Sequence, residues 1–333
     1  MRLEAGGFAE NIALRDDWGN SGGIPFCPSM KICFSRGFAG IVLLVAFLVA
    51  AHAQTTPQMT FRPSLIERSS VSYSYSGLSG FKNDGVEGET SVQRFDASVS
   101  GRHTLGRGTF LGAGFAFGLN TISSDSSVPA PEHLGEVSVN AGVTQMFSRE
   151  FSVSVFARPG YYGDFRRVTW DAFNVPVMAM ASYNPGQNYT FMFGAGFSRF
   201  SEYRVKLMPV LGFRWKFADG WTLNLGIPRL GVTWQASDAL EIGVNASGQG
   251  GTYRITEAPT GANRAGVPNL ANTFVSYREI RLGARAAYSI AKKVNVAVEG
   301  GWMVERRFRY YDRDYTLRGR PSAYMTLAAD VKM

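Results

Sequence analysis

Apolar and polar residues alternate along most of this chain, and this pattern constrains the fold more than any other feature. A period of two residues places successive side chains on opposite faces of a β-strand. The pattern recurs in about fourteen segments after residue 66, which predicts an all-β protein. Between 204 and 217, for example, Val205, Leu207, Leu211, Phe213, Trp215 and Phe217 oppose Arg204, Lys206, Arg214 and Lys216.

The order of these segments predicts a closed antiparallel up-and-down transmembrane β-barrel. An even strand number lets both chain ends lie on one side of a membrane, as in single-chain bacterial barrels. Pro176, Pro209 and Pro228 interrupt the region 175–236, so twelve strands is the alternative. The predicted strands are 67–78, 90–104, 109–121, 136–147, 151–165, 175–182, 189–201, 203–217, 221–227, 229–236, 239–255, 274–290, 294–310 and 320–332.

The connections alternate between short and long, as they do in outer-membrane barrels. Short turns are predicted at 106–108, 148–150, 218–220, 237–238 and 292–293. Longer loops are predicted at 79–88, 122–134, 164–174, 257–272 and 311–318. Aromatic residues flank the short turns, which indicates an interfacial girdle or, alternatively, the ordinary enrichment of aromatics in strands.

An apolar run at 40–51 follows Lys31 and Arg36 and is followed by Ala51, His52 and Ala53. A basic entry, a short apolar core and small residues at the exit are typical of a secretory signal peptide. The run is shorter than the roughly 20 residues that a membrane-spanning helix needs, so an anchor is the weaker interpretation. We therefore expect an N-terminal extension at 1–29 that is an artefact of gene prediction, a signal peptide at 30–53, a short tail at 54–66 and a barrel at 67–333.

The chain has a formal net charge of +8 and two cysteines, Cys27 and Cys33, which both precede the expected cleavage site. A mature chain without cysteine forms no disulfide and no thiolate metal site. The basic excess favours anionic partners outside the cytoplasm, either anionic lipid or a small anionic solute. Nucleic acid fits poorly, because the protein is expected to leave the cytoplasm and its basic residues are scattered through the alternating segments.

Charged residues on the predicted inner face are the candidate functional residues. They carry both signs, so they can brace the barrel wall as ion pairs or act as a transverse field that selects a passing anion. Both interpretations stay open from sequence. The predicted charge network that lines the lumen comprises Arg94, Asp96, Arg102, Glu279, Arg281, Arg285, Glu299, Glu305 and Arg307.

The sequence predicts no catalytic residue, metal site or cofactor. His103 lies beside a short turn and His133 lies in a long loop, and neither stands with a nucleophile on a strand face. The loop carboxylates could form an acid and base pair at the outer mouth, but such groups more commonly bind divalent ions or stay solvated. An enzyme is therefore the least favoured function. These loop carboxylates are Asp164, Asp171, Asp312 and Asp314.

Three short segments resemble a family of Gram-negative outer-membrane β-barrels whose function is unknown. They lie at 220–228, 230–234 and 248–254. The resemblance implies a barrel, an outer-membrane location and contact with lipid, lipopolysaccharide and the barrel-assembly machinery, but no activity. We expect a passive or weakly selective channel for small solutes, with a closed structural or adhesive surface barrel as the alternative.

Overall fold

The computed structural model describes residues 67–83, 86–202, 205–226, 229–291 and 293–333. The extension, signal peptide and tail predicted at 1–29, 30–53 and 54–66 lie outside these residues. No helix in the described ranges is both long enough and apolar enough to cross a membrane. The one helical element in these ranges is a 3-10 turn at Trp170–Ala172.

The chain forms a closed barrel of 14 antiparallel strands, as the alternation predicted. Three of these strands, β5, β6 and β14, are each interrupted once. The strands are β1 (Arg68–Asn83), β2 (Val86–Gly106), β3 (Thr109–Ser124), β4 (His133–Met146), β5 (Phe151–Ala157 and Gly160–Gly163), β6 (Phe173–Asn174 and Val177–Tyr183), β7 (Tyr189–Phe197), β8 (Leu207–Ala218), β9 (Trp221–Gly226), β10 (Arg229–Gln235), β11 (Leu240–Ile255), β12 (Thr273–Ala291), β13 (Val294–Tyr310) and β14 (Tyr315–Gly319 and Ser322–Lys332).

The barrel closes because β1 pairs with both β2 and β14. Ser72, for example, lies opposite Asp96 of β2 and Ala328 of β14. Each strand also pairs with its neighbours along the chain, so the closed sheet satisfies its backbone hydrogen bonds internally. Strand lengths are uneven, because β6, β7, β9 and β10 are much shorter than β1 to β4 and β11 to β13.

An apolar belt surrounds the outer face of the barrel. On β12 it runs from Leu282 to Ile290, which is close to the roughly 9–11 residues of a membrane-spanning strand. Large side chains in the belt are strongly exposed to the surroundings, including Leu211 at 70% and Trp302 at 63%. An exposed apolar surface of this extent needs lipid or another apolar partner.

The polarity of the wall reverses above this belt, on the side of the long loops. Within the belt, β2 turns Phe95 outward and Arg94 and Asp96 inward. Nearer the long-loop end of the same strand, Glu89 lies outward and Val92 is buried inside. The strands therefore continue into an extension with a polar outside and an apolar inside, as in a soluble protein.

A packed apolar core fills the interior of this extension. Phe81, Tyr277 and Phe308 are buried with their rings in contact. Val128 and Leu270, from the loops after β3 and β11, are fully buried in the same core. The Tyr310 hydroxyl donates a hydrogen bond of 2.8 Å to the Pro129 carbonyl. Burial raises the pKa of Tyr310 well above its ordinary value, so this donor stays protonated.

The extension contains fewer strands than the belt. Above the end of β10, β11 contacts β5 instead through one parallel residue pair, Arg254 with Gly163. Asp164 reinforces this contact by accepting hydrogen bonds from the Thr256 amide, at 2.7 Å, and from its hydroxyl. The wall thus narrows around the apolar core, while the described residues of β7 to β10 contribute nothing to that core.

Two register shifts accompany the change of polarity. One lies between Ser76 and Ser79 in the pairing of β1 with β2, and the other lies between Ile280 and Arg281 in the pairing of β12 with β13. Because the second shift changes the face of every later residue on β13, it places Arg306 inside. Its neighbours Glu305 and Arg307 lie on the outer face, so the prediction that these two line the lumen is wrong.

Two predicted loops are also largely strand. β1 and β2 run to Asn83 and from Val86, through the region predicted as a loop at 79–88. Tyr315–Gly319 pairs with β13 inside the predicted loop 311–318. Both segments belong to the extension. The alternating pattern predicted the strands of the belt but not their continuation beyond it. Gly248 to Gly251 keep an unbroken register with β12, although Gly250 has a φ of 137°.

Candidate functional site

The belt region encloses a polar chamber of about 490 Å³. Its wall is built from the inner faces of β1 to β5 and β11 to β14, where serine, arginine and carboxylate side chains alternate with the apolar residues of the belt. Arginines and carboxylates occur in equal numbers in the lining. The charged lining residues are Arg68, Arg94, Asp96, Glu136, Arg158, Arg285, Glu299 and Asp330.

Most of these charges form ion pairs along the wall. Arg94 binds Asp96 on its own strand through two hydrogen bonds of 2.7 and 2.8 Å. The other pairs join different strands: Arg68 with Asp330 at 2.8 Å, Arg158 with Glu136 at 2.7 Å and Arg285 with Glu241 at 3.1 Å. Glu299 instead accepts hydrogen bonds from the Tyr324 hydroxyl, at 2.9 Å, and from the Asn245 amide, at 3.4 Å.

A buried ionic cluster separates the chamber from the apolar core. Glu279 accepts hydrogen bonds from Arg281, at 2.6 and 2.8 Å, and from Arg306, at 2.9 Å. All three side chains are at most 2% exposed. Ser76 donates to the same carboxylate, and the Thr90 carbonyl accepts from Arg306. Buried charges require such partners, because an uncompensated charge is costly in this environment.

The structure brings together part of the predicted charge network. Arg94, Asp96, Arg285 and Glu299 line the chamber, whereas Glu279 and Arg281 form the buried cluster. Arg102 lies near the short-turn end, 3.7 Å from Glu67 and with its guanidinium 5.0 Å from the Phe110 ring centre. The two outward residues have other partners: Glu305 pairs with Arg278 at 3.1 Å, and Arg307 pairs with Glu202 at 2.8 Å.

Sequence reasoning missed five charged residues of the chamber and cluster, together with Glu241, the partner of Arg285. A detectable signal existed on β4, where Glu136, Ser138 and Asn140 alternate with Val137 and Val139. Arg306 had no such signal, because its face depends on the register shift. The missed residues are Arg68, Glu136, Arg158, Glu241, Arg306 and Asp330.

The outer rim carries the titratable groups that the sequence raised as candidates for catalysis. His133, Glu132 and Asp164 border a cleft of about 10 Å³, which is room for roughly one water molecule. Asp164 accepts a hydrogen bond from the Thr256 hydroxyl, and Asp312 accepts one from Thr273. Within the described ranges, no three His, Cys, Asp or Glu side chains assemble as a metal site.

A family model, described as a domain of unknown function (DUF6268), matches residues 109–317. This match covers more than half of the chain. The chain belongs to the DUF6268 family. The matched region contains the three segments, 220–228, 230–234 and 248–254, on which the resemblance was based. It confirms the predicted resemblance to a barrel family of unknown function. No curated protein matches the DUF6268 chain in sequence.

Several solved structures are similar in fold to this DUF6268 protein. The deltaS2 mutant of the TodX monoaromatic hydrocarbon channel has 8% identity and a TM-score of 0.49, over 80% of this chain and 90% of that one. A FadL homologue from Pseudomonas aeruginosa has 9% identity and a TM-score of 0.39 over the same shares. LpxR from Salmonella typhimurium has 10% identity and a TM-score of 0.34, over 80% of this chain and 100% of that one.

Proposed function

We propose that this DUF6268 protein is a channel of the Gram-negative outer membrane for small polar solutes. The observation that carries the proposal is the polar chamber of about 490 Å³ inside a barrel whose outer belt is apolar. A polar interior enclosed by an apolar, lipid-facing band is characteristic of outer-membrane channels. The protein would reach this membrane after export with a cleaved signal peptide and insertion by the barrel-assembly machinery.

The asymmetry of the connections supports one orientation. Short turns join strands at one end, as between Gly106 and Thr109, and long loops such as 256–272 lie at the other. In bacterial barrels the short turns face the periplasm. The extension would then project from the cell surface, with its charged outer face among the lipopolysaccharide head groups.

The charges of the chamber support weak selectivity between ions. Each arginine in the lining has a carboxylate partner, and the equal numbers leave no net charge on the wall. The balanced chamber lining by itself therefore gives no strong preference for anions, although the whole chain carries a charge of +8. Ion pairs that brace the wall account for these residues better than a selective field does.

The apolar core restricts the route of a solute. It closes the axis of the extension, which is formed by β1 to β5 and β11 to β14. A solute would pass along the inner faces of β6 to β10. Glycines such as Gly194 and Gly212 on these strands project no side chain into the lumen. We therefore expect small conductance steps.

Single-channel recording in planar bilayers tests the proposal. We expect small, weakly selective steps for the natural sequence and smaller steps for Thr326→Trp, which adds bulk to the chamber wall. Leu327→Trp is the matched control, because the neighbouring side chain faces lipid and should leave conductance unchanged. A folded barrel that shows no steps would overturn the channel.

The apolar core favours one second candidate, a closed barrel with a structural or adhesive role at the cell surface. Val128 and Leu270 anchor two long loops in that core, which holds a stable surface for binding. A silent barrel whose outer loops bind cells or matrix would support this function. Heat-modifiable migration on gels, a property of folded barrels, serves as the folding control for both candidates.

A further inference from the structure

The inner faces of β6, β7 and β8 form an apolar wall beside the polar chamber. Strand pairing places Met178 next to Gly196, Met180 next to Gly194 and Met192 next to Gly212. A β-carbon built on Gly212 would lie 2.9 Å from the Met192 terminal methyl group, so that methionine lies across the glycine. The glycines therefore leave a shallow surface covered by flexible thioether side chains.

Two basic residues continue this wall toward the short-turn end. Arg214 and Lys216 follow Gly212 on the inner face of β8, while Trp215 and Phe217 of the belt point outward. Arg214 lies opposite Thr190 and Asn224, which add polar groups on both neighbouring strands. Met192 is the diagonal neighbour of Arg214, at a separation of roughly 7–8 Å that long side chains can bridge, so both can contact one small molecule.

These two cations differ from the other charged residues inside the belt. Among the residues that the structure describes, no carboxylate lies within ion-pair distance of Arg214 or Lys216. Arg68, Arg94, Arg158 and Arg285 each have such a partner. An unpaired guanidinium and ammonium beside an apolar wall offer charge and contact area to an anion from outside the chain.

We propose that this wall, named here the methionine wall and formed by Met178, Met180, Met192, Arg214 and Lys216, binds organic anions with an apolar body. A sulfonate or carboxylate would be held by Arg214 and Lys216, and an aromatic or alkyl group would lie on the methionines. Thioether sulfur makes favourable contacts with aromatic rings and adapts to different shapes. The proposal rests on the proposed channel, since it assigns a solute class to the same lumen.

Calorimetric titration of the protein in lipid nanodiscs tests the methionine wall, with empty nanodiscs as the blank. The probe is naphthalene-2-sulfonate, and we expect saturable binding. Methanesulfonate lacks the apolar body and should bind weaker by roughly tenfold or more, because it loses the contact with the methionines. 2-Naphthylmethylammonium reverses the charge and should also bind weaker by roughly tenfold or more, the factor expected from one charge-assisted hydrogen bond. Equal binding of either analogue would overturn the proposal.

Variants locate the binding. The double variant Arg214→Gln with Lys216→Gln should weaken the binding of naphthalene-2-sulfonate by at least roughly tenfold. The double variant Met180→Ser with Met192→Ser should weaken the binding of naphthalene-2-sulfonate and leave the binding of methanesulfonate unchanged. Arg149→Gln, in an exposed turn, is the charge control and should have no effect. Unchanged binding in both double variants would overturn the site.

The binding experiment separates this inference from the proposed channel. A barrel that conducts ions but binds the probe no better than methanesulfonate would retain the channel and remove the methionine wall. A barrel that binds the probe through Arg214 and Lys216 but conducts nothing would retain the site and remove the channel.

Discussion

At the scale of single residues, Glu279 is the shared carboxylate of the buried ionic cluster. It compensates two buried arginines, Arg281 and Arg306. Glu279→Ala should lower the free energy of unfolding by about 3–5 kcal/mol, because it leaves both guanidinium groups without their carboxylate. Urea unfolding of the barrel in lipid vesicles, followed by tryptophan fluorescence, measures this loss.

Glu305→Ala is the matched control on the neighbouring strand. Glu305 pairs with Arg278 on the outer face, where both side chains are partly exposed. Such a pair contributes about 0–1 kcal/mol, so this variant should unfold nearly as the natural sequence does. Equal losses in the two variants would contradict the assignment of Glu279 to the inside and Glu305 to the outside.

At the scale of the strands, alternation predicted the existence and order of the barrel strands but not the faces of all their residues. A shift of one residue in register exchanges inside and outside, and hydropathy does not reveal it. Glu305 and Arg307 were assigned to the wrong face for this reason, and Arg306 was missed. The sequence pattern also did not reveal the extension. A strand with an apolar inner face and a polar outer face shows the same alternation as a strand with a polar inner face and an apolar outer face.

The core of the extension gives a second test at this scale. Phe308→Ala should cost about 3–5 kcal/mol, because a fully buried ring leaves a cavity between β12, β13 and β14. Phe115→Ala should cost less, since that ring is exposed in the belt, where acyl chains of the proposed membrane would fill the space it leaves. Urea unfolding midpoints of the two variants measure the difference, provided that both variants keep the β-sheet content of the natural sequence. A larger loss of unfolding free energy for Phe115→Ala than for Phe308→Ala would contradict the placement of the core.

At the scale of the whole molecule, the reversal of polarity divides the barrel into two environments. Its lower part has the polar inside and apolar outside of a membrane channel, and its extension has the apolar inside of a soluble domain. The cluster around Glu279 lies at the boundary, where inner side chains change from charged to apolar along β12. In the proposed membrane location, we therefore expect the boundary of the bilayer near this level and the extension in water.

Labelling of single cysteines in whole cells tests this arrangement, with Cys27 and Cys33 replaced by serine. Ser123→Cys, exposed on the extension, should react with a membrane-impermeant maleimide. Ala113→Cys points outward on the same strand but lies in the belt, so lipid should protect it until the protein is transferred to denaturant. Arg149→Cys, in a short turn, should react only after the outer membrane is permeabilised. Labelling of Arg149→Cys but not Ser123→Cys in intact cells would reverse the orientation, and equal labelling of Ala113→Cys and Ser123→Cys would exclude a membrane at the belt.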